Sequence, residues 1–140
     1  MIYLLDTDTL THLHMGHRRV NERLRTAGTA QIATTVISRI EMLRGRIDYL
    51  LKAADSQQLL HAQQLLARTE SALARLPLMP IDPTAAAEFD RLRQVAAVRK
   101  IGRADLLIAS IALANRATLV TRNQRHFEKV PGLQIVNWVD

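Results

Sequence analysis

Short apolar segments alternate with longer helical segments along this 140-residue chain, and this alternation is the strongest constraint on its fold. Strands are predicted at residues 2–5, 31–34, 118–121 and 134–136, with a short extended stretch at 78–81. Strands separated by helices form a parallel sheet that is covered on both faces. We therefore expect an α/β fold, a three-layer α/β/α sandwich with a central parallel sheet. The length suits a single domain over residues 1–140.

Capping signals mark the ends of the predicted helices. Thr7 or Asp8 should cap the first helix, which Gly16 ends. Ser38 and Ser56 should open the two long helices that follow. The expected helices cover residues 8–15, 17–27, 38–51, 56–76, 83–100 and 105–116, with a helical turn at 123–127. The helix at 105–116 is apolar almost all round, so it should be buried.

Composition narrows the possible functions. Cysteine is absent, which excludes disulfides, cysteine-ligated zinc and thiol catalysis. The net charge of +6 favours a polyanionic partner such as nucleic acid, although the same charge also keeps a protein in solution. The apolar run at residues 1–5 is too short for a signal peptide, and no stretch could span a bilayer. We expect a cytoplasmic protein with no membrane association.

Three acidic residues stand at predicted strand–helix junctions: Asp6, Glu41 and Asp105. Open α/β folds bind ligands beyond the carboxyl ends of their strands. Carboxylates gathered there repel one another unless a cation offsets their charge. The pattern therefore predicts a divalent-metal site and a phosphoryl-transfer enzyme.

Each acidic residue also has a purely structural interpretation. Ser38 and Glu41 fit the S-x-x-E capping box, in which the glutamate bonds back to the helix start. Asp8 or Asp105 could stabilise a helix N-terminus through the helix dipole. Asp105 opens the most apolar helix, and a buried anion there favours a metal or a nearby cation such as Arg103.

Histidine and arginine give weaker indications. His12, His14 and His17 lie close in sequence, but helical spacing favours a solvated surface role over metal binding. His126 fits a contact to substrate phosphate or an ordinary surface turn equally well. Basic residues bracket the acidic positions and could lead a phosphate backbone towards a metal, with a merely solvated basic face as the alternative. The candidate substrate-binding residues are Arg44, Arg103 and Arg122.

The chain resembles the PIN-domain ribonucleases, and most of all the VapC-type toxins of bacterial toxin–antitoxin pairs. The resemblance lies in four segments that follow one another in order: YLLDTDTL, ISRIEMLRG, IGRADLLIASIAL and TLVTRNQRHFEKVPGLQIVNW. It implies a PIN-like sandwich, Mg²⁺ or Mn²⁺ as cofactor, and endonucleolytic cleavage of RNA to a 5′-phosphate and a 3′-hydroxyl.

The resemblance also implies roles for individual residues. It carries Asp6, Glu41 and Asp105 over as catalytic, metal-binding carboxylates, with the Thr121 hydroxyl close by. Asp8 stands where the family more often has asparagine. Asn123 stands where many members have a fourth acidic residue, so the count of one or two metal ions stays open. Asp8, Thr121 and Asn123 are therefore expected to support the site.

Partners follow from the same resemblance. A cytoplasmic ribonuclease needs an inhibitor, and the resemblance implies a small cognate antitoxin, a homodimer of this chain, and a larger assembly with the antitoxin. The predicted helices between Ser38 and Leu76 carry more leucine and alanine than a solvated face needs. We expect the antitoxin and homodimer contacts on those helices.

Two other functions remain open. The Asp6-Thr7-Asp8-Thr9 segment after an apolar strand fits the D-x-D-x-T signature of haloacid dehalogenase-like phosphatases, in which Asp6 would be a covalent nucleophile. A catalytically weakened RNA-binding PIN module is the other, because Asn123 replaces a carboxylate.

Overall fold

One five-stranded parallel sheet runs through the protein, which a computed structural model describes over residues 1–140. The strands lie in the order β3-β2-β1-β4-β5, and each neighbouring pair is parallel. They are β1 (Ile2–Leu5), β2 (Gln31–Thr35), β3 (Leu78–Met79), β4 (Thr118–Val120) and β5 (Gln134–Val136). The predicted strands are all present, and the stretch at 78–81 is a strand only as far as Met79, since Pro80 cannot donate to a ladder.

Seven α-helices and one 3₁₀ turn surround the sheet. They are α1 (Thr7–His14), α2 (Arg18–Thr26), α3 (Val36–Leu51), α4 (Ser56–Ala74), α5 (Pro83–Arg93), the 3₁₀ turn Ala96–Val98, α6 (Arg103–Ala114) and α7 (Gln124–Phe127). None of these helices combines the length and apolar character that a membrane crossing requires.

The core lies on both faces of the sheet. Leu4 and Leu5 are successive residues of β1 that are both fully buried, and their side chains point to opposite faces. Leu4 joins a core cluster built mainly from side chains of α5 and α6, together with Phe127 of α7. Leu5 joins a second cluster with Val20 of α2 and Trp138. The predicted three-layer α/β/α sandwich is therefore confirmed.

Three predicted caps are displaced. Asp6, and neither Thr7 nor Asp8, caps α1. Thr35 caps α3 by accepting a hydrogen bond from the backbone nitrogen of Ser38 at 3.0 Å, so Ser38 lies inside the helix. The capping-box interpretation of Ser38 is thus wrong, because Thr35, the last residue of β2, provides the cap instead. Asp55 similarly takes the place predicted for Ser56 in α4.

Two helix ends also differ from expectation. Helix α5 ends at Arg93 rather than near Lys100, because Val95 adopts an extended backbone conformation before the 3₁₀ turn. Helix α6 begins at Arg103, two residues before Asp105. The break at Gly16 is confirmed, with a φ of 77° that favours glycine.

The strand order places a topological switch point at the centre of the sheet. The chain builds β1, β2 and β3 outward in one direction, then returns to place β4 against the free side of β1. The helices that follow β1 and β4 therefore leave in different directions. A crevice forms outside the carboxyl ends of these strands, where such folds bind their ligands. Asp6 follows β1 directly, and Thr121 follows β4.

Candidate active site

Asp6 is a buried carboxylate at the end of the central strand. Asp6 is only 7% exposed to solvent. Its backbone nitrogen donates to Val120 at 3.1 Å, and its Oδ1 accepts from the backbone nitrogen of Thr9 at 2.9 Å. Burial raises the pKa of Asp6 above its ordinary value of 3.8, and hydrogen bonds from Thr121 and Thr9 only partly oppose this shift. The Asp8 carboxylate raises that pKa further.

Glu41 lies across the cleft from α1, the helix that Asp6 caps. The Thr7 hydroxyl donates to Glu41 Oε1 at 2.6 Å and lies 3.0 Å from the Ser38 hydroxyl. Glu41 is half-buried on the second turn of α3, and its side chain makes no bond to the start of its own helix. Because Thr7 holds one carboxylate oxygen, the other is left to act in the cleft.

Asp105 pairs with a histidine. His126 Nε2 lies 3.1 Å from Asp105 Oδ2, and both side chains are partly exposed. The contact does not have hydrogen-bond geometry, so His126 Nε2 is left without a hydrogen-bond partner. Burial raises the pKa of Asp105, the Glu41 charge raises it further, and His126 lowers it. A metal ion or a nearby cation such as Arg103 was predicted as the partner of Asp105, and Arg103 instead contacts the Phe89 ring.

These groups line one open cleft. Asp6, Asp8, Glu41, Asp105 and Asn123 share its wall, which encloses about 380 Å³. Glu41 raises the pKa of Asp105 and Asp8 raises that of Asp6, so negative charges are close enough here to disfavour one another. Oxygen donors of this kind suit a hard divalent cation. The donor set therefore fits Mg²⁺ or Mn²⁺, although no three of these carboxylates already converge on one point.

The supporting residues lie where the sequence predicted them. Thr121 is fully buried beside Asp6, and its hydroxyl accepts a hydrogen bond from the backbone nitrogen of Asn123 at 3.0 Å. Asn123 precedes α7 and its side chain makes no capping bond, so it is free to face the cleft. Asp8 is exposed at the first turn of α1.

The three candidate substrate-binding arginines have different surroundings. Arg44 is exposed on α3, one turn beyond Glu41. Arg103 is exposed at the first position of α6, with its guanidinium 5.5 Å from the centre of the Phe89 ring. Arg122 pairs with Asp140 across 3.2 Å. Their contact with substrate stays a prediction.

The clustered histidines do not form a metal site. His12 Nδ1 lies 2.8 Å from the backbone oxygen of Asp8, and the His17 side chain caps α2. His14 is partly buried towards Arg46, and its pKa is lowered by burial and by that positive charge. No group of three metal-binding side chains converges in the protein. Nothing in the sequence indicated the His126–Asp105 pair, because only the sheet brings α7 to α6.

Comparison with known families agrees with this geometry. Residues 3–133 match the PIN domain. The chain belongs to the PIN-domain family. Its crevice of acidic residues at the carboxyl edge of a parallel sheet is thus a feature of a PIN domain.

Individual relatives can also be named. The chain is 26% identical to the tRNA(fMet)-specific endonuclease VapC of Salmonella typhimurium over 139 residues, 97% of each protein. It is 55% identical to ribonuclease VapC2 of Rickettsia felis over 38 residues, which are 27% of this chain and 28% of that protein.

Solved structures show the same fold over the whole chain. The crystal structure of VapBC2 from Rickettsia felis, bound to a DNA fragment from their promoter, superposes with a TM-score of 0.82 at 28% identity, covering 99% of both chains. A toxin–antitoxin complex from Klebsiella pneumoniae gives a TM-score of 0.69 at 28% identity, covering 96% of this chain and 95% of that one.

Replacing Asp6 with asparagine should stabilise the metal-free protein at neutral pH. Asparagine keeps the oxygen that caps α1 and removes a buried charge. The folded pKa of Asp6 is raised, so its charge costs stability as pH rises from about 4 upward. Thermal melting in chelator should give a gain of roughly 2–5 °C at pH 7, equivalent to about 1 kcal/mol, that vanishes below pH ~4.

Asp6→Ala is the matched control for this measurement. It removes the same charge but also the cap, which costs about 1 kcal/mol. Its melting temperature should therefore lie below that of Asp6→Asn. A lower melting temperature for Asp6→Asn than for the wild type in chelator would contradict the prediction.

Proposed function

We infer that this PIN domain is a divalent-metal-dependent endoribonuclease that acts as the toxin of a toxin–antitoxin pair. The observation that carries this inference is the open cleft at the switch point, which is lined by four carboxylates from three separate segments of the chain. Two relatives of the chain, a tRNA(fMet)-specific endonuclease and a ribonuclease, support the same activity. The net charge of +6 suits an RNA substrate.

Asp6, Asp105 and Glu41 are the residues that would hold Mg²⁺ or Mn²⁺. A divalent ion bound there supplies Lewis-acid polarisation of the scissile phosphate and a more acidic water. The chain's own contacts orient the carboxylates: Thr9 holds Asp6, Thr7 holds Glu41, and His126 faces Asp105.

Glu41 is suited to position the attacking water. Its Oε1 is fixed by the Thr7 hydroxyl, so Oε2 can orient the water and accept its proton. The water oxygen forms a new bond to phosphorus, and the bond from phosphorus to the 3′ oxygen breaks. The products are a 5′-phosphate and a 3′-hydroxyl, which takes up the proton.

The partner surface is assigned to α3 and α4. Leu51 and Leu60 are 77% and 66% exposed, and Ile47 of α3 adds a further exposed apolar side chain. Exposed leucine and isoleucine at helical spacing suit the apolar face of a partner helix. An antitoxin segment and a second copy of this chain would bind there. A solved structure with the same fold, from Klebsiella pneumoniae, is a toxin–antitoxin complex.

Incubation of the purified protein with labelled RNA tests the activity. Internal cleavage should require added Mg²⁺ or Mn²⁺, stop in chelator, and give 5′-phosphate ends. A covalent phospho-aspartate with release of phosphate from small esters would instead support the phosphatase. RNA binding without cleavage at any metal concentration would support the binding module.

A further inference from the structure

A second cavity lies on the other side of α6 from the catalytic cleft. It encloses about 350 Å³ between the end of α5, the 3₁₀ turn and the start of α6. Its floor is apolar, formed by buried side chains that include Leu92, Val98 and Leu106. This volume falls within the range of small-ligand pockets, which start at ~300 Å³.

Three guanidinium groups stand around this cavity. Arg93, Arg99 and Arg103 are all exposed on its rim, and no carboxylate lines it. Arg93 pairs with Asp90 at 3.1 Å, whereas neither Arg99 nor Arg103 forms an ion pair. The cavity therefore combines apolar walls with uncompensated positive charge, which is complementary to a phosphate carrying an aromatic base.

Phe89 holds two of the arginines in place. The guanidinium carbons of Arg93 and Arg103 lie 5.4 and 5.5 Å from the centre of its ring. Such cation–π contacts reduce the freedom of a long side chain before any ligand arrives. The rim is thus partly organised for binding in the free protein.

Helix α6 connects this cavity to the cleft. Arg103 and Leu106 are three residues apart and lie on the cavity side of the helix. Asp105, between them in sequence, lies on the cleft side. A helix with its side chains is ~10–12 Å across, so a single RNA strand crossing the start of α6 would reach both sites.

We propose that this cavity is a nucleotide subsite for the RNA strand, outside the catalytic cleft. Arg99 and Arg103 bind the phosphate of a nucleotide near the cleaved bond, and the apolar floor takes its base. The subsite rests on the ribonuclease activity inferred above. It gives the enzyme a second contact with single-stranded RNA that depends on an unpaired, extruded base.

The test is metal-free binding of a fluorescent single-stranded RNA to the full chain, followed by anisotropy. The double variant Arg99→Gln/Arg103→Gln should weaken binding about tenfold, and the slope of log K against log salt should become shallower by about 0.7, the value for one lost phosphate contact in a single strand. Arg99→Gln alone leaves the Phe89 contacts intact and should weaken binding less than the double variant does, because Arg103 still contacts the phosphate. In cleavage assays the double variant should raise KM and leave kcat close to that of the wild type.

The matched control removes two equal charges from the opposite face of the sheet. Arg23→Gln/Arg25→Gln lies on α2, which packs against the other core cluster. Equal loss of affinity in both double variants, or no loss in either, would overturn the subsite. These outcomes are separate from the fate of the proposed function, because binding is read in chelator. Absent cleavage by the wild type with Mg²⁺ or Mn²⁺ would overturn the activity instead.

Discussion

Replacing Asp105 with asparagine is expected to lower the rate of RNA cleavage at saturating Mg²⁺ by at least ~1000-fold, equivalent to about 4 kcal/mol of barrier. Asparagine keeps the size of the side chain but removes the negative charge that a divalent ion requires. Asp105 is partly exposed at the start of α6, so the fold should be little affected. Single-turnover cleavage of labelled RNA, with circular dichroism on the same sample, measures both effects.

Asp48→Asn is the matched control for that variant. Asp48 is exposed on α3 and does not line the cleft, so the same chemical change there should leave cleavage within about twofold of the wild type. Cleavage by Asp105→Asn at a rate similar to that control would remove Asp105 from the metal site.

Expression of the chain alone should arrest bacterial growth, and co-expression with its neighbouring open reading frame should restore it. Leu60→Asp combined with Leu51→Asp should abolish this rescue, because charges on the apolar α3–α4 surface oppose burial by a partner helix. Both residues are largely exposed, so the variant should fold and still cleave RNA. Growth curves and co-purification measure the two consequences.

A second exposed apolar position provides the control for the partner surface. Met15 is 77% exposed and follows α1, so it lies on neither α3 nor α4. Met15→Asp should leave rescue unchanged. Rescue of the double leucine variant as complete as that of Met15→Asp would place the antitoxin elsewhere.

The sequence was most informative where two constraints coincided. An acidic residue directly after a buried strand has few structural explanations, and Asp6 indeed lies at the carboxyl end of the central strand. The alternation of strands and helices likewise predicted the parallel three-layer fold, since parallel strands need crossover helices. The cap of α1 was predicted at Thr7 or Asp8, whereas the Asp6 carboxylate provides it.

The errors arose where two neighbouring residues compete for one role. Ser38 and Glu41 have the spacing of a capping box, but Thr35, at the end of β2, is the residue that caps α3. Local sequence could not reveal this, since the choice depends on where β2 stops. The contact between His126 and Asp105 could not be predicted from the sequence for another reason. It joins α7 to α6, and only the completed sheet brings these two helices together.

The central position of β1 also determines at what stage of chain synthesis the cleft can form. Asp6 is synthesised more than a hundred residues before β4, which carries Thr121 to its side. Chains grow at ~5–20 residues per second, so this interval lasts several seconds. Nascent chains on the ribosome therefore carry the carboxylates without the assembled cleft. Under the function proposed above, this delay is the time in which a cell can supply the partner before a newly made chain cuts RNA.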